Sequence, residues 1–171
     1  MPDRKPDRRE TPYAPEAAAP AARAERLLFI AAGRLWAVAT RQVERSFYLE
    51  SLTPVPLAPA LAAGLANLRG EAVPVIDLAG LTEGSPAGRS PIGRRCLLVN
   101  AGGSLLALLT DEILRIVPTA SATRLEAESP IAGSAFLHDG ERIEELDVER
   151  LAQSIRQAIR RAGQRAAAGV R

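Results

Sequence analysis

RLLFIAAGRLWAVATRQVERSF, residues 26–47, lies without a gap over CLLVNAGGSLLALLTDEILRIV, residues 96–117, when the chain is slid against itself by 70 positions. Eight of the 22 pairs are identical: Leu27/Leu97, Leu28/Leu98, Ala31/Ala101, Gly33/Gly103, Leu35/Leu105, Ala37/Ala107, Thr40/Thr110 and Arg45/Arg115. Val38/Leu108 and Val43/Ile113 match in apolar character. Each stretch is an apolar run, a turn at Gly33 or at Gly102-Gly103, and a second apolar run. Runs this short, bounded by glycine, read as the strands of a well-buried hairpin rather than as helices.

The agreement resumes downstream. GLANLRGEAVPVIDLAGL from Gly64 lies over GSAFLHDGERIEELDVERL from Gly133 if Asp139 is taken as one extra residue in a turn. On that alignment Gly70-Glu71 matches Gly140-Glu141, Asp77 matches Asp147, and His138 stands in place of Arg69. Each half thus gains a second hairpin, turning at Arg69-Gly70 and at Asp139-Gly140, the latter a favoured tight-turn pair. Pro74 lacks an amide hydrogen, so its strand is expected at a sheet edge or beside a bulge. Asp77 and Asp147 are candidate helix N-caps. Halves of roughly 60 to 70 residues are near the lower limit for a stable core. Two small barrels packed on each other about an approximate two-fold axis are therefore expected, with an apolar seam between them. The first half covers about 26–90 and the second about 95–150.

The ends depart from the repeat. Residues 1–25 are rich in Pro, Ala and charge and read as a disordered tail. In the last segment Val148, Leu151, Ala152, Ile155, Ile159 and Ala162 recur at helical spacing, with arginines mostly opposite. This predicts a helix over about 147–162, docked by its apolar stripe, followed by a flexible tail at 163–171. Attachment of its basic face to anionic lipid is the alternative use.

With 171 residues the chain excludes a large multidomain enzyme. A single Cys and a single His leave no means of building a zinc site, and Cys96 has no partner for an internal disulfide. The net charge of +2 and pI near 9.2 suggest polyanions until the charges are located. Between residues 27 and 146 there are ten Lys/Arg against 13 Asp/Glu, so the basic excess belongs to the ends. A slightly acidic barrel region with few aromatics argues against nucleic acid. Charges fall where a signal peptide needs an apolar core, and no long apolar span follows, which places the chain in the cytoplasm.

Catalytic chemistry is sparse. Asp77 and Asp147 could form a proton-sharing pair in a small pseudo-symmetric hydrolase, but neither is followed by the Ser or Thr and Gly that shape such a site. His138 lacks an orienting partner and is expected on an exposed turn. Cys96 and Trp36 sit in apolar strands and read as core residues. No phosphate-cradling motif is present, and no cofactor is called for. An interaction module remains, with Arg69 as a candidate recognition residue for a carboxylate.

The stretch from Gly64 closely resembles the signature of the CheW-like domain, the adaptor of bacterial chemosensory arrays. Its pattern stands here at Asn67, Leu68, Arg69, Gly70, Pro74, Ile76, Asp77 and Leu78, and the resemblance extends more weakly from Leu27 to about Ile159. It implies a CheW-like domain over 26–162, folded as two intertwined five-stranded SH3-like barrels with a C-terminal helix. It also implies a noncatalytic scaffold. The partners implied are the regulatory domain of a chemotaxis histidine kinase and the helical tip of a chemoreceptor, with the membrane reached only through receptors. The partner-binding positions so implied are Val43, Arg45, Asn67, Leu68, Arg69, Gly70 and Ile113. In the family a Glu commonly stands where this chain has Arg45 and pairs with the motif arginine; here Glu44 or Glu50 replaces it, or Arg69 pairs only with a partner. That departure fits a divergent pathway, such as surface motility or another receptor-linked output.

Overall fold

A computed structural model describes residues 25–56, 58–82, 90–119 and 122–168. The N-terminal tail up to residue 24 and residues 169–171 lie outside it. Eleven strands are present among the described residues: β1 (Glu25–Ala31), β2 (Arg34–Ala39), β3 (Val43–Tyr48), β4 (Ala62–Leu68), β5 (Glu71–Ile76), β6 (Arg95–Ala101), β7 (Ser104–Thr110), β8 (Glu112–Pro118), β9 (Arg124–Leu125), β10 (Ala132–His138) and β11 (Glu141–Leu146). Two helices, α1 (Ala79–Thr82) and α2 (Val148–Ala168), follow β5 and β11.

The strands form two sheets, ordered β8-β1-β2-β11-β10-β9 and β3-β6-β7-β5-β4. Shifting the first five members of one order by a half-repeat gives the other, so the pseudo-two-fold relation extends to the strand pairing. The sequence halves, however, are not the barrels. Each sheet combines the first hairpin of one half with later strands of the other, joined by the parallel pairs Trp36↔Glu144 with Ala37↔Glu145 and Val75↔Ala107 with Ile76↔Leu108. The fold is mainly β, with two intertwined SH3-like barrels and a C-terminal helix, as the resemblance implies.

Register corrects the sequence alignment. In one hairpin Ala62 pairs with Ile76 and Leu68 with Glu71; in the other Ala132 pairs with Leu146 and His138 with Glu141. The shift of 70 is therefore kept throughout, each hairpin carries its bulge at the same place, and Asp139 is not an insertion. Arg69 corresponds to Asp139, not His138. Gly64 and Gly133 coincide only as letters. A Cβ at Gly64, whose φ is +152°, would lie 2.6 Å from the Thr53 carbonyl oxygen, whereas at Gly133 it would make ordinary 3.5 Å contact with Asp147.

Strand alternation sorts the apolar side chains into three cores. Leu28, Ala37, Val117, Phe136 and Ile143 fill one barrel. Their counterparts Leu98, Ala107, Phe47, Ala66 and Val73 lie in the other, beside Leu49, Val75, Cys96 and Leu109. Among these matched positions each barrel receives one phenyl ring from a different strand, Phe136 opposite Val117 or Phe47 opposite Ala66, which conserves volume in two cores that share one backbone plan. Between the sheets lies the largest cluster, built from matched pairs such as Phe29/Val99, Val38/Leu108 and Ile76/Leu146, with Trp36 and the α2 residues Leu151, Ala152 and Ile155. Trp36 is core, as expected, and its indole N–H donates to the Ala31 carbonyl at 3.2 Å.

Two expectations are revised. Pro74 is on β5, an interior strand, but only Val75 and Ile76 pair with β7, so the proline lies where that side of the strand needs no amide donor. The C-terminal helix does not stop at Ala162. It runs through Gly163 to Ala168, the good helix formers on either side offsetting the roughly 1 kcal/mol cost of an interior glycine. Its docked stripe is also shorter than the pattern suggests. Val148, Leu151, Ala152 and Ile155 are buried, but Ile159 is 53% exposed, because the helix outruns the sheets it packs against.

Candidate partner-binding site

The β4–β5 turn is a two-residue hairpin loop with positive φ at both central positions, +58° at Arg69 and +90° at Gly70. Such a type I′ turn matches the twist of its strands but holds an arginine in the left-handed region. Asn67 holds the loop, its Oδ1 accepting the Gly70 N–H at 2.8 Å. The Arg69 side chain is exposed and, among the described residues, takes part in no ion pair. It is thus displayed at the cost of backbone strain, without an internal contact to account for it.

Across the face of the same barrel, β3 carries a bulge between Val43 and Arg45, opposite Val99 and Leu98 of β6. Beyond the bulge the Arg45 guanidinium lies over the Phe47 ring, 5.4 Å from its centroid. Arg45, Phe47, Tyr48, Asn67, Leu68 and Arg69 are among the residues lining an open cavity of about 350 Å³ between β3 and β4, the two outer strands of the five-stranded sheet. Tyr48 is 59% exposed, and its hydroxyl accepts from Arg95 Nη2 at 2.7 Å while the same guanidinium lies 5.1 Å from its ring centroid. Thr53 pairs with Leu65 and covers the start of the β4 edge, leaving Ala66–Leu68 uncovered by any described strand.

The sequence-predicted set therefore separates into two places. Arg45, Asn67, Leu68 and Arg69 share the cavity, with Gly70 closing its turn. Val43 and Ile113, related by the repeat, are half-buried against the central cluster where the two sheets meet. Neither proposed substitute for the family's carboxylate engages Arg69. Glu44 accepts from Asn100 Nδ2 at 3.1 Å, and Glu50, at the cavity rim, forms no ion pair among the described residues. Tyr48 and Phe47 are the members of this face that the sequence reading passed over; an exposed aromatic directly after a bulged strand is the signal that could have flagged them.

The other chemical candidates are occupied structurally. Asp77 accepts the Ala79 N–H at 3.0 Å at the start of α1, and Arg94 links its carboxylate, at 3.8 Å, to that of Asp111 at 2.9 Å. Asp147 accepts the Arg150 N–H at 2.9 Å at the start of α2. Carboxylates at two separate helix starts, each serving its own cap, do not make a proton-sharing pair, which removes the hydrolase reading. His138 is half-buried rather than exposed, its Nε2 3.5 Å from Asp139. Burial pushes the Cys96 thiol up to about 11, against the opposing charge of Arg94, so it is no nucleophile near neutral pH. Among the described residues no cluster of His, Cys, Asp and Glu could hold a metal ion, and no helix is long and apolar enough to cross a membrane.

Comparison with known proteins gives these observations a family. A family model for the CheW-like domain matches residues 25–156. Among solved structures the chain resembles the scaffolding protein TtCheW from Thermoanaerobacter tengcongensis, with a TM-score of 0.61 and 22% identity over 72% of this chain and 88% of that one. No curated protein matches. The interleaved barrels, the hairpin bearing Asn67-Leu68-Arg69-Gly70 and the family match agree, and the chain belongs to the CheW-like domain family, as a noncatalytic scaffold of chemotaxis signalling.

Proposed function

We propose that this scaffold acts in the cytoplasm as an adaptor between chemoreceptors and a chemotaxis-type histidine kinase. In this reading the cavity face of the five-stranded barrel, with Arg45, Asn67, Leu68 and Arg69, meets the regulatory domain of the kinase. The seam at Val43 and Ile113 takes the helical tip of a receptor. The observation that carries the reading is the Arg69 turn: a strained, exposed arginine beside an open cavity, with no ion-pair partner among the described residues. Backbone strain retained at a surface position is commonly tied to binding rather than to folding. An adaptor of this kind changes the kinase's preferred state only through differential contacts with it, so its surfaces must do the work that residues do in an enzyme.

Co-sedimentation of the full chain with the cognate kinase and receptor fragments tests the proposal. Binding of both at tens of micromolar, weakened by Arg69→Glu for the kinase and by Val43→Asp for the receptor, is the expected result. Failure to bind either partner would overturn it.

A further inference from the structure

The two barrels share one backbone plan, so the charges at matched positions can be compared directly. In the second half Arg115 lies 3.2 Å from Asp139 across the face of its barrel, an ion pair between exposed side chains. The shift of 70 carries Arg115 onto Arg45 and Asp139 onto Arg69. The first half therefore has two arginines where the second has an arginine and an aspartate, and both arginines line the same cavity. Glu50 is also at the rim, leaving two guanidiniums to one carboxylate. Stacking on Phe47 gives the Arg45 guanidinium a resting place beside the cavity.

We infer that the Arg45–Arg69 pair is a receiving site for a carboxylate of a partner protein, an Asp or Glu side chain that enters the cavity and takes the place Asp139 holds beside Arg115. This rests on the adaptor reading above and adds the chemistry that the partner must present. Two guanidiniums lining one cavity repel each other, and a single carboxylate between them turns that repulsion into two charge-assisted contacts. The barrels thus differ in where the opposing charge comes from, one satisfying its arginine internally and the other leaving the complementary carboxylate to the partner. Complementarity of this kind contributes to partner choice and to the rate of encounter more than to affinity alone.

Arg45→Glu rebuilds in the first half the ion pair already present in the second. Relative to the unaltered chain it should raise Tm by about 1–3 °C through the new internal pair with Arg69. It should also weaken binding to the cognate kinase about tenfold or more, since the partner's carboxylate then meets a like charge. Arg156→Glu, on the exposed face of α2, makes the same change in net charge and should leave kinase binding as it was. An unchanged Tm in R45E, or kinase affinity equal to that of R156E, overturns the inference. If the unaltered chain binds no kinase, the adaptor reading falls, and binding of a decaglutamate peptide then decides the chemistry of the cavity. Peptide affinity lost in R45E but kept in R156E retains the carboxylate site, and equal affinity in the two variants rejects it.

Discussion

Replacing Arg69 with Asn separates what this residue does for the partner from what it does to the fold. At φ +58° its backbone is in the left-handed region, which costs a residue with a Cβ about 1–2 kcal/mol, and Asn tolerates that conformation better than most. Asn-Gly is also the preferred pair for a type I′ loop. No ion pair is lost among the described residues, and the hydrogen bond from Gly70 N–H to Asn67 is kept because it does not involve the side chain at 69. The net gain should be about 0.5–1 kcal/mol, or roughly 1–4 °C in Tm for a domain of this size. Asp139→Asn, at the matched turn, is the reference: its residue already suits the conformation, and removing its exposed pair with Arg115 should change stability by less than about 1 kcal/mol.

Urea denaturation with an unchanged m-value, together with calorimetric melting, reads the stability, and titration against the cognate kinase reads the binding. Arg69→Asn should be more stable and bind less well. A variant no more stable than the unaltered chain would refute the claim that Arg69 is held under strain. A variant that is stabilised and binds as before would refute the claim that the strain serves recognition. Stability and function pull in opposite directions at such a site, the usual trade at a binding surface.

Leu151→Ala, which empties a fully buried position where α2 meets the central cluster, should destabilise by about 3 kcal/mol and lower Tm by roughly 10 °C. Ile159→Ala, on the part of the helix beyond the sheets, should stay within about 0.5 kcal/mol of the unaltered chain. Cys96 should titrate late: with its thiol held near 11 in the folded chain against an ordinary 9.0, the unfolded state loses the proton first, so its contribution is complete below pH 9 and is lost as pH rises towards 11. Stability of the unaltered chain should therefore fall more steeply over that window than that of Cys96→Ala, by up to about 1.4 kcal/mol per pH unit, and parallel slopes would show that the thiol titrates normally.

The repeat was legible because paired hairpins require similar letters at turns and buried positions: a turn glycine recurs at Gly33, Gly103, Gly70 and Gly140, and Asp77 and Asp147 cap helices in the same way. The strand exchange was not. It resides in two parallel pairings between residues far apart in the chain, and nothing local at Trp36 or Val75 declares the partner strand. The misplaced insertion at Asp139 has a different cause. Gly64 is demanded by the close approach of the Thr53 carbonyl and Gly133 is under no such demand, so matching them by identity compared two unrelated requirements. The docked length of α2 was overread for a related reason: periodicity records which face is apolar, not where the core beneath it ends. At the candidate site the motif located Arg69, but only the spatial match to the Arg115–Asp139 pair gives Arg45 a meaning.

The interleaving bears on what a scaffold of this design can do. Because each barrel contains a hairpin from the other half of the chain, and the layer between them is one continuous core, the barrels cannot part without unfolding both. Neither proposed contact is therefore on a module that swings freely. Val43 packs at the seam, and Arg45 stands two residues on, across the β3 bulge, at the cavity. A ligand at the seam and a carboxylate at the cavity would bear on the same short strand. Bulges are places where a strand changes aim without breaking its sheet. A displacement at Val43 can thus reach Arg45 through local backbone adjustment while the surrounding core stays packed, and this gives an adaptor without chemistry of its own a physical link between two binding surfaces.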